Sequence, residues 1–104
     1  MRKVFIVQES AKHNYLPARK FGDVEVLFPP TYQLAFDPQY AIDTIHEKLV
    51  DIEEDDYLLL SGDPALIGLT AAVASDYLGG QVNLLKWDRQ EKIYVPLNCS
   101  LYGE

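Results

Sequence analysis

The residues best placed to do chemistry are Ser61-Gly62-Asp63-Pro64, which follow the apolar run Tyr57-Leu58-Leu59-Leu60. Asp before Pro is a helix start, with Asp as N-cap and Pro at the first helical position. The tetrapeptide therefore joins a strand to a helix N-terminus. Such a terminus exposes unpaired N–H groups and the positive end of the helix dipole, and it receives anions. Gly62 would let a ligand approach the backbone. Asp63 works against an anion, because its carboxylate repels one and capping alone accounts for it. The spacing holds neither the glycines of a dinucleotide fingerprint nor the lysine of a P-loop. The candidate ligand set is Gln8, Ser10, Ser61, Gly62 and Asp63, with Glu9 alongside and His13 and Arg19 in reach. Its ligand class is a nucleotide or another anionic metabolite.

Catalytic constellations are sparse. His13 and His46 are the two histidines. Asp43, His46 and Glu47 are neighbours at helical spacing and read as a polar helix face rather than a metal centre. Cys99 has no basic neighbour to lower its pKa. A single cysteine excludes an internal disulfide and a cysteine-rich zinc site. No catalytic residue, metal or cofactor is assigned, and the pattern points to binding more than to catalysis.

The elements that must position these residues are legible in the apolar pattern. Val4 to Val7 reads as a buried strand, and Val24 to Phe28 as a second, stopped by Pro29-Pro30. Between them, Leu16 to Gly22 suggests one or two helical turns. Asp37-Pro38 opens a helix whose apolar stripe is Ala41, Ile42, Ile45, Leu49 and Ile52. Tyr57 to Leu60 is a third strand. A second helix runs from Pro64 to about Leu78 and ends at Gly79-Gly80. Val82 to Trp87 and Lys92 to Pro96 form a hairpin, and the tail from Leu97 to Glu104 is expected to be loosely held. Strand–helix–strand alternation with right-handed crossovers gives an α/β fold, a single compact Rossmann-like domain over residues 1–104. The sheet is mainly parallel, in the order 2-1-3-4-5 with the last strand antiparallel, and two main helices flank it.

The second helix is uncharged from Pro64 to Ser75 and apolar on every side, so it needs cover beyond the sheet. Either another segment crosses it, such as residues 29–36, or a second copy of the chain does. A two-fold homodimer is expected. Leu66, Leu69 and Val73 on this helix are candidate interface residues, as are Trp87, Arg89 and Tyr94 of the hairpin, types that anchor interfaces.

Hydrophobic residues at 48% and charged ones at 24% support a packed core rather than disorder. No apolar run approaches about 18 residues, so no membrane helix is expected, and Glu9 comes too early for a signal-peptide core. The net charge of −7 argues against direct binding to nucleic acid or anionic membrane. That charge is uneven. Residues 1–20 are net positive, residues 21–85 are strongly acidic with a peak at Glu53-Glu54-Asp55-Asp56, and residues 86–104 balance. The acidic stretch suits a basic protein surface, including one that otherwise holds nucleic acid, and would speed association.

Leu58 to Gly68 and Leu84 to Gln90 resemble small proteins encoded by tailed bacteriophages. The resemblance covers roughly residues 57–96, with an echo at Leu16 to Phe28. It brings no known active site. It implies a bacterial cytoplasm and a host-takeover or counter-defence accessory; small size, uneven charge, the over-apolar helix and sparse catalytic residues point to one that engages a protein partner.

Overall fold

The computed structural model describes residues 2–103. Five strands form one sheet: β1 (Lys3–Gln8), β2 (Asp23–Phe28), β3 (Tyr57–Leu59), β4 (Gln81–Asp88) and β5 (Ile93–Ser100). Two helices, α1 (Pro38–Leu49) and α2 (Pro64–Tyr77), precede β3 and β4. The order is β2-β1-β3-β4-β5, parallel except for the β4–β5 pair. The expected architecture is therefore the observed one.

Handedness decides which face each connection covers. The chain moves one way from β1 to β2 and the other way from β2 to β3 and from β3 to β4. Right-handed crossovers then put the first connection on one face and both helices on the other. On the helical face Phe5, Val7, Leu58 and Val82 pack with Ala41, Ile45 and Leu49 of α1 and Leu66 and Ala74 of α2. On the opposite face Val4, Ile6, Leu59 and Leu85 pack under Ala18 and Tyr94. The alternation of Val4 and Ile6 with Phe5 and Val7 is the period-two pleat of a strand buried on both faces. The first connection is thin, a 3₁₀ turn over Leu16–Phe21 in which only Ala18 is buried. Aromatic rings complete that cover, with Phe21 edge-on to Tyr57 at 5.4 Å and Trp87 against Tyr94 at 4.8 Å.

Two expectations, on the tail and on two interface candidates, are corrected here, and the cover of the second helix, which the sequence leaves open, is in part described. The tail is not loose at its start, because Leu97 to Ser100 belong to β5 and pair with Gln81 to Leu84. Leu101 N–H then donates to the Gly80 carbonyl at 2.9 Å. Glu104 lies outside the described residues. The second helix is covered within the chain on one flank: it packs against α1, and the Tyr77 hydroxyl lies 3.1 Å from His46 Nδ1. Tyr32 and Leu34, from the segment expected to cross it, pack against the same core. Finally, Leu66 is fully buried and Tyr94 is only 3% exposed, so neither can meet a partner. Both residues suggest interface anchors in the sequence, but each fills one of the two cores. Truncating such a residue to alanine typically costs about 2–5 kcal/mol.

Candidate functional site

Order 2-1-3 places the carboxyl ends of β1 and β3 side by side with their connections leaving to opposite faces, the position where open α/β sheets bind ligands. The five candidate residues do meet there. Gln8 ends β1, and its backbone N–H donates to the Ser61 carbonyl at 3.0 Å. Its buried side chain acts as a latch. Oε1 accepts the Asp63 N–H at 2.9 Å, and Nε2 donates to the carbonyls of Tyr32 at 3.0 Å and Pro29 at 3.2 Å. One carboxamide thus ties the loops after β2 and β3 to the end of β1.

Gly62 is required by this latch. Its φ is +105°, a region that side chains rarely adopt, and a Cβ there would lie 2.3 Å from the Gln8 Cβ. The glycine faces the protein's own side chain. Ser61 is buried, and its Oγ shares a hydrogen bond with the Tyr15 hydroxyl at 2.7 Å. The same hydroxyl accepts the Ser10 N–H at 2.8 Å. Asp63 Oδ1 accepts the Ala65 N–H at 2.8 Å and caps α2. An incoming anion would meet this carboxylate at the helix end and find its nearest amides engaged.

His13 and Arg19 do not join this network. They line a shallow depression of about 400 Å³ with Asn14 and Leu16 on the face opposite the helices, and Tyr15 is its link to Ser61. Burial first, then the neighbouring Tyr15, pushes the Tyr94 hydroxyl up to about 12. Asp43, His46 and Glu47 stay on the exposed side of α1. Asp43 accepts from Gln39 Nε2 at 2.9 Å. No group of three His, Cys, Asp or Glu among the described residues is placed to hold a metal ion.

Two features had little signal in the sequence. Asp56, the last member of the acidic run, is buried and accepts the N–H groups of Lys3 and Glu53 at 2.8 Å each. It anchors the start of β1 and closes the turn before β3. A 3₁₀ turn over Leu34–Phe36 carries Phe36, which is 83% exposed. Of the remaining interface candidates, Arg89 is exposed, Leu69 and Val73 are half-buried, and Trp87 is half-buried against Tyr94.

The fold and site define a small α/β protein whose switch point is closed by its own side chains. Residues 2–101 match the model of the Phage Pam3 gp32-like protein family, and the chain belongs to that family. No curated protein and no solved structure matches it. No helix among the described residues is long and apolar enough to cross a membrane.

Proposed function

We propose that this phage-family protein works as an accessory factor that binds a basic protein surface through the outward face of α1, rather than by catalysis. The observation that carries the reading is the make-up of that face. Tyr40, Asp43, Glu47 and Val50 follow one line along α1 at helical spacing, and Phe36 stands one turn before it. Phe36, Tyr40 and Val50 are 83%, 55% and 60% exposed. Exposed Glu53, Glu54 and Asp55 continue the acidic surface, with Lys48 on the helix and Arg2, 3.7 Å from the Asp55 carboxylate, as the basic residues beside them. Apolar anchors framed by carboxylates suit a partner that offers a hydrophobic pocket within a basic rim. Carboxylates here would raise the association rate and make binding salt-sensitive. Membership in a phage protein family supports the reading that such a partner is a host or phage protein, with host takeover or counter-defence as the proposed role and the bacterial cytoplasm as the proposed setting. The closed latch around Gln8 favours this reading over a nucleotide held at Ser61-Gly62-Asp63.

The test is affinity capture from bacterial lysate with the wild-type chain, Phe36→Ser and the pair Asp43→Lys with Glu47→Lys. A basic protein retained by the wild type is expected to be lost with either variant and to be eluted by moderate salt. Retention of no protein, or equal retention by all three chains, overturns the proposal.

A further inference from the structure

A different face carries a second inference. α2 packs against β1 and part of β4, and no described element covers β5 on the helical side. Leu84 pairs with Leu97 and Val82 with Cys99, and directly paired residues point to the same face. The result is an apolar strip beside α2, a groove of about 470 Å³ lined by Ala72, Leu84, Cys99 and Leu101. Leu97 and Leu101 are 38% and 63% exposed.

We infer that this face of α2, β4 and β5 docks a second copy of the same chain about a two-fold axis. Charge selects the occupant. With a net charge of −7, copies repel across most of the surface. This strip has opposite charges at its two ends. α2 returns to β4 through Gly79-Gly80, so the carboxyl end of α2 lies at the amino end of β4. Exposed Asp76, on the stripe of Ala72, marks that end. Exposed Lys86 marks the other, four residues beyond Val82 and about 13 Å along the strand. A two-fold axis near the Leu84–Leu97 pair reverses one strip on the other. Each Lys86 then meets the partner's Asp76, twice per dimer, over an apolar centre.

The free edge of β5 argues for docking by the face. Leu60 N–H donates to the Leu85 carbonyl at 3.1 Å, so the backbone of Leu85 faces β3. Its partner Pro96 therefore turns its backbone to the open edge. Proline has no N–H to offer there, which interrupts any ladder a second β5 could add.

The face is separate from the α1 stripe proposed to bind a protein partner, so either proposal can fail alone. Sedimentation velocity on the purified full chain, up to about 100 μM, tests it. A wild-type dimer is expected to become monomeric in Leu97→Glu and in Lys86→Asp, and to return in the double variant Lys86→Asp/Asp76→Lys. Leu101→Glu replaces Leu97→Glu if circular dichroism shows that variant unfolded. A wild-type monomer throughout the range, a dimer indifferent to the leucine change, or no recovery in the charge swap overturns the inference.

Discussion

Gly62 lies so close to Gln8 that a Cβ on the glycine would sit 2.3 Å from the Gln8 Cβ. The clash is with an atom fixed to the backbone of β1, which no side-chain rotation can move. The φ of +105° adds its own penalty for any other residue. Gly62→Ala is therefore expected to destabilise the protein by about 3 kcal/mol. Gln8→Met keeps the bulk but leaves the Asp63 N–H and two carbonyls without their partner, a loss of about 2–4 kcal/mol. Urea unfolding midpoints measure both. Values near wild type would mean that the loops are held by something other than the latch.

Asp56 is expected to matter out of proportion to its place in an acidic run. Its carboxylate serves two backbone N–H groups in a site that is 4% exposed. Asp56→Ala should cost about 2–3 kcal/mol, whereas Glu54→Ala and Asp55→Ala at exposed positions should each change stability by under about 0.5 kcal/mol. Equal effects at the three positions would show that Asp56 is merely one more surface charge.

Thr70 offers the opposite sign. Its hydroxyl is fully buried in α2 and has no hydrogen-bond partner among the described residues. Thr70→Val keeps the branched shape and removes the stranded polar atom. The variant is expected to gain about 1 kcal/mol in urea or thermal unfolding. A loss instead would reveal a partner for the hydroxyl in solution.

Alkaline pH is expected to weaken the fold through Tyr94. Its hydroxyl is raised from the ordinary 10.0 to about 12, chiefly by burial. A group whose folded pKa is raised adds stability that is complete below the unfolded pKa and disappears as pH climbs through the folded one. Stability should therefore fall between pH 10 and about 12 as the unfolded chain ionises first. Tyr94→Phe should lose less stability over that window than the wild type, because the other tyrosines are common to both chains. Identical pH slopes would remove Tyr94 from the account.

Much of this architecture could be read from the chain because buried parallel strands leave short, uninterrupted apolar runs. Val4 to Val7 and Leu58-Leu59 announce central strands, and Asp37-Pro38 and Asp63-Pro64 announce both helices. β5 was harder. The sequence suggests an edge strand that ends at Pro96, but the missing N–H of Pro96 faces the free edge, so pairing continues to Ser100. The residues of the switch point were legible as a group, but not what they do there. A glutamine at the end of an apolar run does not reveal that its amide will be consumed by three loop groups. Leu66 and Tyr94 misled because an apolar or aromatic side chain looks the same in sequence whether it faces a core or a partner. Phe36 carries no signal of its exposure, because nothing local distinguishes an exposed aromatic from a buried one.

β3 contains only three residues, yet among the described residues it is, with Leu60 and Ser61 just beyond it, the one link within the sheet between the β1–β2 and β4–β5 pairs. In mechanical terms the sheet is two flaps joined at a narrow neck. A neck so short cannot yield by degrees: fraying one end of β3 frays all of it and parts the flaps. Amide protons of Leu58 and Leu59 are therefore expected to exchange only when the whole molecule opens, making the shortest strand the place where global cooperativity is read.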